Sequence, residues 1–153
     1  FVYVWESYKM NTDILKQYAL GFVGIRYTWG GKNPMSGFDC SGLVSEIWRA
    51  AGVVKPHDNP SSQQLFDQLS SNGAYNVLKA GSLAFYGADS KNITHVAFLI
   101  DSDVAVEAAG GDSTTLTPEQ AAFQNAFVNV RQVKYRSDLV AVIRPKYFWQ
   151  IGI

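Results

Sequence analysis

The chain has 153 residues, 47% of them apolar, so it can build one core of useful size and has no room for a second domain of ordinary dimensions. Its formal charge is zero and its isoelectric point lies near 6.9, which excludes the global positive field that collects nucleic acid or an anionic membrane surface. A lone cysteine forbids an internal disulfide, and the two histidines, His57 and His95, lack the short spacing of a zinc site, so neither a metal nor another cofactor is expected.

The opening residues, Phe1-Val2-Tyr3-Val4-Trp5-Glu6, show neither the basic region nor the long apolar run of a signal peptide. No apolar stretch reaches the roughly eighteen residues that a membrane span requires. Because Phe1 is not an initiator methionine, the expectation is a processed form or a piece of something longer. Asn11, Thr12 and Asp13 offer capping side chains, and Ile14, Leu15, Tyr18, Ala19, Phe22 and Val23 then recur at helical spacing up to Gly24. Tyr27-Thr28-Trp29 is a short extended piece that enters a loop through Asn33, Pro34 and Gly37. A second helix begins beside Cys40, buries Leu43, Val44, Ile47, Trp48 and Ala51, and ends at Gly52. After a loop from Pro56 to Pro60, Ser61 or Ser62 caps a third short helix with Leu65, Phe66 and Leu69 inside, closed by Asn72-Gly73.

From residue 82 the pattern changes to strand-like runs: 82–86, 94–100, 104–108, 126–133 and 139–144. Helices followed by strands predict an α+β domain, with N-terminal helices packed on an antiparallel sheet. Asp101-Ser102-Asp103 is a turn signal, which makes the start of one strand and the end of the next neighbours across a hairpin. His95 and Glu107 occupy those two ends. The pairings that this turn allows leave them within about one or two cross-strand steps.

The chemistry centres on Gly37-Phe38-Asp39-Cys40-Ser41-Gly42-Leu43-Val44, where a glycine-rich turn runs into an amphipathic helix. A thiol at a helix N-terminus meets free backbone N–H groups and the positive end of the macrodipole, both of which stabilise a negative sulfur. Cysteine, a strand histidine and a carboxylate, in that order, are the minimum parts for covalent acyl transfer. Each residue also has a plainer role open to it. Glu107 can be a solvated strand-end group, Tyr27 a core aromatic, and Asp39 and Ser41 mere caps of the helix that Cys40 begins.

These stretches resemble the NlpC/P60 family of cysteine peptidases, which cut cell-wall peptides on a papain-like core. Four segments carry the resemblance: Tyr27-Thr28-Trp29-Gly30-Gly31; Gly37 through Val44; Leu78-Lys79-Ala80-Gly81-Ser82-Leu83-Ala84-Phe85; and His95-Val96-Ala97 through Val106-Glu107-Ala108. The second is the most specific. The resemblance implies a papain-like core with a barrel-like sheet, Cys40 as nucleophile, His95 as base and then acid, and Glu107 as the group that orients the imidazole. It places Tyr27 beside the thiol and Asp39 and Ser41 at positions that shape the substrate site, with Trp29 near the chemistry and His57 as a candidate substrate contact. Many relatives carry histidine or an amide where this chain has Glu107, and a carboxylate holds His95 more firmly protonated.

The implied activity is cleavage of peptidoglycan stem peptides between D-isoglutamate and the diamino acid, in the cell wall, periplasm, extracellular space or a virion. Two alternatives stand beside it. One is a Cys/His amidase or acyltransferase of related fold, and the other a non-enzymatic domain of a phage tail or secretion assembly. The expected partition is a lead-in over 1–11, the peptidase domain over 12–145, and a C-terminal segment over 146–153 whose Tyr147, Phe148 and Trp149 pack on the domain or on a neighbour.

Overall fold

The computed structural model describes residues 12–145. The Asn11 cap, the lead-in and the C-terminal aromatics lie outside the described residues. Helix α1 (Thr12–Leu20) buries Leu15 and Ala19 and, with Phe22 beyond it, joins the main core. Ile14, Tyr18 and Val23, expected in the same stripe, are exposed because α1 offers the domain only a narrow seam. Tyr18 uses its position to donate a hydrogen bond to Glu46 at 2.9 Å. The helix stops at Leu20 instead of running to Gly24, since the chain leaves it to meet the sheet, where the Gly24 N–H donates to Val128 O at 2.8 Å.

The stretch expected as loop contains a small antiparallel ribbon, β1 (Lys32–Asn33) with β2 (Gly37–Phe38). Helix α2 (Cys40–Ala50) follows at once. Asp39, in extended backbone, caps it by accepting the Gly42 N–H at 2.7 Å, and the expected stripe of Leu43, Val44, Ile47, Trp48 and Ala51 is buried throughout. Helix α3 (Ser62–Ser70) starts from a reciprocal capping box between Ser61 and Gln64 and buries Leu65, Phe66 and Leu69.

The remaining elements are β3 (Ala74–Tyr75), β4 (Leu83–Gly87), β5 (Ile93–Leu99), β6 (Val104–Ala109), α4 (Pro118–Phe123), β7 (Phe127–Gln132) and β8 (Leu139–Arg144). They form an antiparallel six-stranded sheet in the order β3-β8-β4-β5-β6-β7. The five expected strands fall within a residue of their predicted ends, while β3 and α4 were not expected. The barrel-like description needs correction. The sheet is open, because β3 and β7 stand at opposite ends and are not paired with each other. The β7 edge is met instead by Arg26, bridged to Phe127, and by Ile25 O, which accepts the Val128 N–H.

Both faces of the sheet are buried, which explains why β4 and most of β5 read as continuous apolar runs. Leu83, Phe85, Val96, Phe98 and Val106 face the helices, and Ala84, Tyr86, Ala97, Leu99 and Ala105 form a second cluster with Val133 and Val142. The 3₁₀ turn at Val133–Tyr135 belongs to that second face, and the buried Tyr86 hydroxyl donates to Val133 O at 2.7 Å. Helix α2 packs across β5 and β6 on the first face.

The first turn of α2 lies against the preceding loop so closely that only glycine fits at position 42. A Cβ there would stand 2.0 Å from the Gly31 carbonyl oxygen, and the Asp39 N–H donates to that same oxygen at 3.1 Å. Gly42→Ala gains about 1 kcal/mol of helix propensity but costs about 1–3 kcal/mol through overpacking against backbone. A lower melting temperature is expected in thermal unfolding, and an unchanged or raised one would contradict the close approach.

Candidate active site

Three elements converge at one end of the sheet. Cys40 is the first residue of α2, His95 lies near the start of β5, and Glu107 lies near the end of β6. The β5–β6 register pairs Phe98 with Val106 and Leu99 with Ala105; continued by one residue, it sets Glu107 opposite Ala97, diagonal to His95 on the same face. The diagonal closes. His95 Nε2–H donates to Glu107 Oε2 at 2.6 Å, with both side chains buried. Nδ1 is then the ring nitrogen left for the Cys40 thiol, which is near enough to the imidazole to influence its protonation.

Glu107 is 1% exposed, not the solvated strand-end group that its place in the sequence also allowed. Its second oxygen is engaged from outside the hairpin. Tyr135 Oη donates to Oε1 at 2.7 Å, and Arg131 Nε stands 3.2 Å from the same atom. Tyr86, directly opposite His95 across β4 and β5, lays its ring 5.5 Å from the imidazole, centroid to centroid. Tyr86, Arg131 and Tyr135 carry no motif; only the polar character of Arg131 on a strand hinted that its side chain had a use.

Burial of His95 opposes its charged form, but hydrogen bonds to Cys40 and Glu107, together with the charges on both, outweigh it and raise the imidazole pKa to about 9. Burial likewise opposes ionisation of Glu107. The His95 hydrogen bond and charge, the Tyr135 hydroxyl and the Arg131 charge reverse the balance and hold its pKa below the ordinary glutamate value. The arrangement therefore favours an imidazolium on a carboxylate, with a sulfur on the other side of the ring. Such a set can attack an acyl carbon and pass a proton to the leaving group.

The other sequence candidates fall in different places. Tyr27 is buried, and burial, followed by the charges on Cys40, Asp39 and Asp112, raises its pKa. The loop after β6 closes on its ring at Gly111, where a Cβ would lie 2.1 Å from Tyr27 Cδ1. Asp39 serves the helix start with both oxygens, accepting from Gly42 N and Ser41 Oγ on one and from Gly30 N on the other. Asp39 thus acts as the cap, with the Ser41 hydroxyl donating to it, and both residues also line a surface pocket with Lys32, Ser45, Asn59 and Gln64. Trp29 is 52% exposed, and its backbone N–H ties its loop to Thr115 O at 2.8 Å. His57 is exposed in a separate pocket with Lys55, Asp58 and Gln68, sharing only Asn59, Pro60 and Gln64 with the pocket by α2.

Among the described residues, no group of three histidine, cysteine or acidic side chains could hold a metal ion, and no helix is long and apolar enough to cross a membrane.

The chain is 38% identical over 84 residues to the bifunctional muramidase/DL-endopeptidase CwlT of Bacillus subtilis, a match covering 54% of this chain and 24% of the relative. It is 28% identical over 126 residues to the peptidoglycan endopeptidase RipA of Mycobacterium tuberculosis, covering 74% of this chain and 25% of that protein. The chain thus spans about a quarter of the length of these relatives. Among solved structures, RipD of M. tuberculosis, described as a non-catalytic NlpC/p60 domain protein adapted to peptidoglycan binding, superposes with a TM-score of 0.60 at 22% identity, covering 87% of this chain and 95% of that one. The model of the NlpC/P60 family matches residues 24–132, which include Cys40, His95 and Glu107, and the chain belongs to that family.

Proposed function

We propose that residues 12–145 form a cysteine endopeptidase that cuts peptidoglycan stem peptides, between D-isoglutamate and the diamino acid, outside the cytoplasmic membrane. The observation that carries this reading is the buried His95–Glu107 pair, hydrogen-bonded at 2.6 Å, with the Cys40 thiol close enough to act on the protonation of the imidazole. The names of CwlT and RipA support the substrate class. The RipD comparison shows that this fold also serves without catalysis, so the fold alone is no argument and the three side chains must carry it.

The sulfur of Cys40 attacks the peptide carbonyl carbon, and the carbonyl electrons move to oxygen. The oxyanion is met by the Cys40 backbone N–H, with the Tyr27 hydroxyl as second donor. Collapse breaks the carbon–nitrogen bond while the imidazolium of His95 gives its proton to the departing amine, leaving a thioester. Water then attacks the thioester carbon as His95 takes its proton, and the acid product leaves with the thiol restored. Glu107 keeps the ring oriented and its positive form stable throughout.

Cys40→Ala should lose turnover of purified peptidoglycan while keeping its circular-dichroism spectrum. Mass spectrometry of the released fragments should show new ends at D-isoglutamate. A cut at muramoyl-alanine would favour an amidase, and retained turnover in the variant would remove the thiol mechanism.

The alkaline limit of activity should follow the loss of the His95 proton, because the imidazolium is the acid that releases the amine. The raised pKa places that limit near pH 9. Glu107→Gln removes one of the charges that raise it, so the alkaline limb of kcat/KM should move to lower pH, and the NMR titration of the imidazole should move the same way. A limb that stays in place would show that Glu107 does not set the protonation of His95.

A further inference from the structure

We infer that Tyr135, braced by Arg131, is a positioning residue that locks the Glu107 carboxylate so that Oε2 faces the His95 ring. The inference rests on the peptidase reading above, in which His95 is the proton carrier. A glutamate carboxylate turns easily about its last torsion, since that torsion has no sharp staggered wells. Bonding one oxygen to His95 leaves the other free to trade places with it. Here the second oxygen is fixed at 2.7 Å by the Tyr135 hydroxyl and approached at 3.2 Å by Arg131 Nε.

The anchor comes from a separate piece of chain. His95 and Glu107 share the β5–β6 hairpin, whereas Arg131 is on β7 and Tyr135 on the turn that follows it. Tyr135 is 40% exposed, and a surface tyrosine ordinarily turns its hydroxyl to water; this one turns it inward. The Arg131 guanidinium lies over the Tyr135 ring at 4.9 Å, and its Nε also donates to Asn129, the residue paired with Glu107 across β6 and β7. The brace therefore follows the sheet register.

The groups facing Glu107 are His95 from β5, Tyr86 from β4 with Arg136 over its ring and Asp138 beside Arg136, Arg131 from β7, and Tyr135 from the turn. Burial, followed by the Glu107 contact, raises the Tyr135 pKa to about 12, so its hydroxyl remains a donor across the working range. Removing that donor withdraws a hydrogen bond made to the ionised carboxylate, which moves Glu107 toward protonation at higher pH.

The test is Tyr135→Phe, which keeps the ring under Arg131 and deletes only the hydroxyl, with Arg131→Gln as a second variant and Glu107→Gln as the reference background. Cleavage of a defined stem peptide should show kcat reduced about tenfold with KM unchanged, as expected for a lost hydrogen bond to a charged group. The acid limb of kcat/KM should move to higher pH, as should the carbon-13 titration of the Glu107 carboxyl. Arg131→Gln should move both the same way. Added to Glu107→Gln, Tyr135→Phe should cost nothing further. Wild-type kcat and acid limb in Tyr135→Phe, or a full additional loss on the Glu107→Gln background, would overturn the inference. Failure of the wild-type domain to cut any wall peptide would sink the peptidase reading instead; the Glu107 titration would then decide the positioning role, with an unmoved midpoint overturning it and an upward shift upholding it.

Discussion

A carboxylate with almost no exposure sits 2.6 Å from an imidazole at one end of a β-sheet, and much of the local structure answers to that pair. An ionised carboxylate withdrawn from water is costly unless both oxygens find partners, and the stabilisation that such a pair returns is often no better than that of a well-packed apolar replacement. Its value here lies in geometry and protonation. The β5–β6 register brings the two side chains onto one face, β7 and its following turn supply the remaining donors, and Tyr86 walls the ring from the neighbouring strand. The charged form of His95 persists because its partners outweigh the burial that opposes it.

The sulfur reaches this pair by a different route. Its position is set by backbone packed on backbone, with Gly42 against the Gly31 carbonyl and Asp39 tying the helix start to the loop before it. Gly111 lets the loop after β6 lie on Tyr27, a buried aromatic that feels the charge on Cys40. A helix start has little freedom to shift when it is held so closely, and a nucleophile gains more from a fixed position than from any single added contact. The site is thus a junction between a rigid helix start and a two-strand ribbon, each held by its own neighbours.

That division separates what the fold provides from what the chemistry needs. A related fold serves in RipD, described as non-catalytic, so the architecture is compatible with binding alone. What makes this chain a candidate enzyme is the identity of three side chains and the burial around them.

Much of this could be read without coordinates. Local signals are written in neighbouring residues, so the α2 stripe, the Ser61 cap, the turn at Asp101–Asp103 and the ends of five strands were legible from periodicity and capping chemistry. Helix α4 was not expected, although Thr117-Pro118-Glu119-Gln120 carries a local signal for it, a capping box with proline at the first helical position. The two-residue strand β3 was not legible, since so short an edge piece has no period of its own. The open sheet, the outward face of α1 and the inward turn of Tyr135 were decided by tertiary structure. Each depends on where distant segments pack, and no spacing within the chain records that. The sequence alone determined which groups could react and which elements carry them; only packing decided that a strand-end glutamate would be buried, paired and pointed at the imidazole.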